Sequence, residues 1–183
     1  MTLEDVCLAA ANTARTKAYI QILCREGIKV NKCYILSSEP QSVLLEKERG
    51  ASLCKGEDTL YFDKDEPVVL TLERNSIPFE MVLSDNINED SVVKKLQSAN
   101  EKYIIYSGFG GQLLKPRLFE TGKKFLHVHA GRLPEYRGST TIYYSMLMEN
   151  RCWASAIFLT PGIDEGNIIA ALSFPPPPPQ YRY

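Results

Sequence analysis

Apolar positions along this chain fall into short blocks, with strand-like runs alternating with segments of helical period. Val6 to Ala11 is an apolar run; Asn12-Thr13 and then Ala18, Ile22 and Leu23 at helical spacing follow, which predicts strand, turn, helix. Gly27 suits the end of that helix, and Lys32 to Leu36 reads as a second strand. The opening is therefore β-α-β, the first unit of a parallel α/β sheet. Val68 to Leu72 fits either a short strand or the start of a helix, and Ile77 to Val82 fits a strand that Pro78 confines to its beginning. Asn88 to Leu96 is a capped amphipathic segment with Val92, Val93 and Leu96 on one side, and Lys102 to Tyr106 is a compact apolar strand.

In the second half, Pro116 to Phe119 begins a short helix or turn and Lys124 to Val128 is a strand. Thr140 to Glu149 reads as a helix with Ile142, Met146 and Leu147 inward, Trp153 to Thr160 as a strand, and Ile168 to Phe174 as a last apolar strand. Pro175 to Pro179 would leave the sheet as a stiff polyproline segment. Residues 38 to 66 are polar, and the run Glu46-Lys47-Glu48-Arg49 suits a solvated face. The expected fold is α/β, a Rossmann-like, mostly parallel sheet flanked by helices, with one domain over 1–174 and a proline-rich tail over 175–183.

Composition narrows the partners more than the chemistry. At 183 residues there is room for one ordinary domain, and a net charge of −1 gives no electrostatic footprint for nucleic acid or an anionic membrane. Five cysteines, scattered and without Cys-x-x-Cys spacing, read as reduced thiols that behave as small buried hydrophobes. That reading favours a reducing, cytoplasmic setting. No apolar run is long enough to span a bilayer, and no secretory leader is evident.

Both histidines of the chain, His127 and His129, sit two residues apart on one strand, so their side chains share a face. Alone, such a pair reads as half of a metal site, a coincidence or two surface imidazoles sooner than as catalytic. Here it is followed by Ala-Gly, a Leu-Pro step and Tyr-Arg-Gly, and later by Asp164 framed by glycines. A second concentration of glycine, Ser107-Gly108-Phe109-Gly110-Gly111, stands at a strand exit. It serves either a tight turn or the close approach of a flat ligand to backbone, and it lacks the Gly-Lys-Ser/Thr of a phosphate loop. Asn12-Thr13 falls at the carboxyl edge of the first strand, where open parallel sheets bind ligands, and equally suits a helix N-cap.

Taken in order, His127-Val-His129-Ala-Gly131-Arg-Leu133-Pro134-Glu-Tyr136-Arg137-Gly138 and Gly162-Ile-Asp164-Glu-Gly166-Asn-Ile168-Ile169 resemble the signature of the folate-dependent formyltransferases. That signature runs Asn-x-His-x-Ser-x-Leu-Pro-x-x-[Arg/Lys]-Gly and then Gly-x-Asp-x-Gly-x-Ile-[Ile/Val]. The resemblance covers residues 68 to 174, and the first β-α-β more weakly. Two positions depart from it: His127 stands where the family has its catalytic Asn, and Gly131 where it usually has Ser. The resemblance implies an enzyme that moves a formyl group from 10-formyltetrahydrofolate to an amine. It implies catalytic roles for His127, His129 and Asp164. It also implies a folate pocket lined by Gly108, Phe109, Gly110, Gly111, Gln112, Leu113 and Leu114 with Gly162 and Ile163. Asn12, Thr13, Tyr136 and Arg137 are the candidates for the acceptor side.

An amine attacking a formyl carbon develops an oxyanion, which needs a donor, and an ammonium, which needs a base. The resemblance makes His129 the base, with Asp164 fixing its tautomer and supporting the imidazolium. It puts His127 in the donor position. An imidazole offers one N–H where an amide offers two, so hydrolysis of the formyl donor, or folate binding without turnover, stay open as alternatives. His127, His129 and Asp164 are also a donor set of the kind that holds zinc; the family resemblance argues against it, and no metal is expected. Family members formylate initiator tRNA, glycinamide ribonucleotide and amino sugars on nucleotide carriers. Without a basic tract, a small amine acceptor is expected, a nucleotide-linked amino sugar first, with neither nucleic acid nor membrane as partner. Formyltransferases generally continue past the last strand, so the chain reads as truncated or unusually short. Its oligomeric state does not follow from the sequence.

Overall fold

A computed structural model of the protein describes residues 1–40, 42–43, 46 and 62–178. The charge run beyond Glu46, Cys54 and the end of the proline run lie outside them. The chain divides into two compact units, Met1–Lys123 and Lys124–Tyr183.

The first unit holds four parallel strands, β1 (Thr2–Ala11), β2 (Lys29–Ser37), β3 (Phe79–Leu83) and β4 (Tyr103–Ser107), in the order β3-β2-β1-β4. β1 lies between β2 and β4, and Cys7 to Ala11 are fully buried. That burial on both faces is why its sequence is a continuous apolar run rather than an alternating one. Helix α1 (Ala14–Arg25) follows β1 directly, and Thr13 caps it by accepting from the Thr16 N–H at 3.3 Å. Gly27 closes it at φ 71°, where a side chain would be strained. The ambiguous segment at 68 is helix α2 (Val68–Arg74), whose Val68, Val69 and Leu72 pack with Leu8, Ile20, Ile35 and Ile77 in one core. Helix α3 (Asp90–Gln97) buries Val92, Val93 and Leu96, as its apolar stripe requires, and the short α4 (Pro116–Phe119) starts on proline.

The second unit is a three-stranded antiparallel sheet, β5 (Lys124–His129), β6 (Cys152–Phe158) and β7 (Asn167–Phe174), with helix α5 (Thr141–Glu149) between β5 and β6. Three parallel pairings against two antiparallel ones give the mostly parallel α/β class expected from the sequence. α5 corrects one expectation. Leu147 is 81% exposed, and the buried residues of the helix are Thr141 and Ser145. The inward stripe is polar because Thr141 Oγ1 donates to the Ala130 carbonyl at 2.8 Å and Ser145 Oγ bonds back to the Thr141 carbonyl at 3.2 Å. Among the described residues no helix is long and apolar enough to cross a membrane.

Candidate active site

β5 delivers the two histidines. Strand alternation puts His127 and His129 on one face, and the register opposite β6 sets His129 against Ser155 and His127 against Ile157. His129 is only 4% exposed. The chain then turns through Gly131 and Leu133, both anchored by Ser155, whose Oγ donates to the Gly131 carbonyl at 2.7 Å and accepts from the Leu133 N–H at 3.2 Å. Gly131 fits because a Cβ there would stand 2.6 Å from Thr141 Oγ1 and 2.8 Å from His129 Nε2. The departure from serine at this position thus has a local cause.

Asp164 arrives from the loop between β6 and β7, at φ 51° in the left-handed region that Asp tolerates. Gly166 behind it is required by space, since a Cβ would come within 1.6 Å of the Phe158 carbonyl oxygen. The carboxylate is aimed by the backbone of the other loop: Asp164 Oδ2 accepts from the Gly138 N–H at 2.9 Å and lies 3.3 Å from His129 Nδ1. His127, His129 and Asp164 therefore converge, with one ligating atom of each within 4.8 Å of the others.

The two nitrogens of His129 face different partners. Nε2 lies 2.7 Å from the Tyr136 carbonyl, which can only accept, so Nε2 carries the proton. Thr141 Oγ1, its own proton given to Ala130, is a second oxygen 3.2 Å from the same nitrogen. Nε2–H is thus held by Tyr136 and Thr141, while Asp164 faces Nδ1. Thr141, Ser155 and the Gly138 amide were missed in the sequence, and only the Ser/Thr-rich start of α5 hinted at the first.

The other candidates are placed as follows. The Tyr136 side chain is half-buried, and its contribution to His129 is through its carbonyl. Arg137 pairs with Glu165 at 3.0 Å on an exposed face. Gly162 leaves room for the Glu165 carboxylate, and Ile163 is exposed.

In the first unit, Asn12 is exposed and Thr13 is the helix cap. Gly108 must lack a side chain because a Cβ would stand 2.4 Å from the Tyr106 hydroxyl, and Gly111 sits at φ 78°. Its neighbours Phe109, partly exposed, and Gly110, exposed, have no such constraint. Gln112 is engaged by the 85–88 turn, donating to the Asp85 carbonyl at 2.6 Å and accepting from the Ile87 N–H at 3.2 Å. Leu113 is exposed and Leu114 buried. Arg15, which the sequence did not single out, braces this loop by donating to the Gly108 carbonyl at 2.7 Å, and Thr16 holds Ser107 beside it.

Comparison with known proteins bears out the family resemblance. Methionyl-tRNA formyltransferase of Finegoldia magna is 31% identical over 110 residues, which are 59% of this chain and 35% of that protein. The chain spans about a third of the length of the curated relatives it matches. Among solved structures, glycinamide ribonucleotide transformylase 1 from Geobacillus kaustophilus matches with a TM-score of 0.62 at 16% identity, covering 97% of this chain and 86% of that one. A sugar N-formyltransferase from Shewanella sp. FDAARGOS_354 matches at 0.55 and 11% identity, covering 93% and 57%. The fold is the formyltransferase fold. No family model matches the chain.

Proposed function

We propose that this relative of the formyltransferases moves a formyl group from 10-formyltetrahydrofolate to the amine of a small acceptor. The buried pairing of His129 with Asp164, beside His127 on the same strand face, carries the reading. With Nε2–H held by Tyr136, the lone pair of Nδ1 is the base that takes the proton from the attacking amine, and the carboxylate at 3.3 Å stabilises the imidazolium so formed. His127 supplies an N–H toward the developing oxyanion. The proton then passes from Nδ1 to the departing nitrogen of the folate, which returns the base to its starting state. Since relatives by name act on Met-tRNA, a ribonucleotide and sugars, and the net charge of −1 offers no footprint for RNA, a nucleotide-linked amino sugar is the first acceptor to test.

One observation favours a second reading, a folate-binding domain without turnover: both nitrogens of His129 already face protein oxygens. Incubation with 10-formyltetrahydrofolate and a panel of amines, read by mass spectrometry beside a melting scan, separates the two. A formylated amine supports transfer, and a melting shift with no product supports binding alone. Loss of the formyl group without any acceptor would mark hydrolysis. Neither shift nor product would end both main readings.

A further inference from the structure

His127 replaces an amide by a second imidazole, and the consequence is a set of donors suited to a cation. Three points of geometry bear on it. The separation of 3.3 Å between His129 Nδ1 and Asp164 Oδ2 is long for a charge-assisted hydrogen bond, which runs ~2.7–2.9 Å. It is instead close to the ~3.4 Å that separates two ligands of a tetrahedral ion with bonds of ~2.0–2.1 Å. Next, Nε2 of His129 is held by the Tyr136 carbonyl, so Nδ1 is the ring nitrogen turned toward the carboxylate. A ring nitrogen and a carboxylate oxygen facing each other in a buried site are joined by a positive charge, carried either by a proton on Nδ1 or by a metal in its place. Finally, one ligating atom each of His127, His129 and Asp164 lie within 4.8 Å of one another, which brings the third donor to the same place.

The surroundings have the form of an outer shell. The Tyr136 carbonyl holds Nε2 of His129, leaving Nδ1 as the nitrogen on the ligand side, and the Gly138 N–H orients the carboxylate. We propose that His127, His129 and Asp164 form a site for one divalent transition-metal ion of the zinc type, with a fourth position open. The inference rests on this geometry and not on the formyl-transfer reading. It also has a consequence for that reading: an ion on Nδ1 occupies the lone pair that would take the amine's proton, so a loaded chain cannot use His129 as the base.

The test reads the metal directly. The full chain is stripped with chelator, dialysed against zinc and analysed by elemental mass spectrometry, with no folate present. One equivalent is expected, together with a dose-dependent rise in melting temperature. His127→Asn and Asp164→Asn should each weaken binding by more than the ~10–100-fold that follows loss of an outer-shell partner.

Because the chain has two histidines, their ring-nitrogen NMR signals report on wild type even where a variant fails to fold. Zinc should shift both sets, with the His129 Nε2–H signal retained. Cobalt should give visible absorption without a thiolate charge-transfer band. Unmoved histidine signals, equal metal content in wild type and both variants, or a thiolate band placing the ion on cysteine would each overturn the proposal.

Discussion

A Cβ at residue 131 would stand 2.8 Å from Nε2 of His129, so the absence of a side chain at Gly131 and the position of the imidazole are one arrangement. Gly131→Ser, which restores the residue common in the family, should therefore destabilise the chain, by the ~1–3 kcal/mol typical of overpacking. Thr141→Ala removes the nearest atom, Oγ1 at 2.6 Å, though it keeps the Thr141 Cβ at 2.9 Å, and should recover part of the loss. A double-mutant cycle by chemical denaturation measures that coupling. Additive effects would show that Thr141 and residue 131 do not compete for the space.

For the proposed transfer, His129→Ala should lower turnover by the ~10²–10⁴-fold associated with a positioned acid or base, with donor affinity little changed. Asp164→Asn should act in the same direction, because the imidazolium loses its counter-charge at 3.3 Å. His127→Asn restores the family's amide, and a retained or increased rate would identify that position as the oxyanion donor. If wild type is inactive and His127→Asn creates activity, the natural chain is a binding relative. Steady-state rates beside donor affinities by calorimetry decide among these outcomes.

These predictions draw unequally on sequence and structure. The apolar run of β1, the stripe of Val92, Val93 and Leu96, and the turn at Gly27 were legible because each obeys a local period or a backbone rule. Val68 to Leu72 was ambiguous because four apolar residues in five positions carry no period of their own, and packing against α1 accompanies their helical form. α5 misled for the opposite reason. Its apolar Leu147 and Met148 point outward, since the inward stripe is set by bonds of Thr141 and Ser145 to residues far along the chain or in the preceding turn. The histidines and Asp164 were found as residues, but the assignment of protons to His129 depends on a backbone carbonyl, which no side-chain pattern records.

Thiol chemistry offers a separate check on the first unit. Burial pushes the Cys7 thiol up to about 12, and the Cys33 thiol is also raised by burial. Neither should be a thiolate at pH 8, and both are fully enclosed. In native buffer an alkylating reagent should modify the half-buried Cys152 well before Cys7 or Cys33, which should react only on unfolding. Peptide mass spectrometry over time follows each site. Rapid native labelling of Cys33 would contradict the close packing of β2 between β1 and β3.

Glu80 on β3 takes Lys95 at 2.5 Å and Lys32 at 2.9 Å, and these bonds hold its carboxyl below its ordinary value. A depressed carboxylate contributes stability above its unfolded-state pKa and loses it as pH falls through the folded-state value. Wild type should therefore exceed Glu80→Gln in stability at neutral pH, and the difference should shrink to nothing in acid. Added salt should also reduce it, as the three groups are partly exposed. Denaturation midpoints across pH measure the gap; a gap that widens toward acid would reverse the assignment.

The last prediction concerns β7. Its residues Ile168, Ile169, Leu172 and Phe174 are all exposed, Leu172 by 61%, and Leu147 and Met148 on α5 add 81% and 75% exposed side chains in the same unit. Among the described residues β7 pairs on one side only, with β6. An apolar strand with an unpaired edge is a template for pairing with another chain, and natural edges are usually blunted by Lys, Pro or a bulge. Asn167–Phe174 carries no charge and no proline, and its one such feature is the register shift at Ile169, between Ile168 and Ala170. The chain should therefore associate as concentration rises. Leu172→Lys places a charge on a solvent-facing position opposite Ala154 without removing a ladder hydrogen bond. It should shift light scattering toward monomer at unchanged melting temperature. If wild type and Leu172→Lys scatter alike over the whole concentration range, the exposed strand is not a contact surface. If Leu172→Lys melts earlier, the leucine is packed rather than exposed.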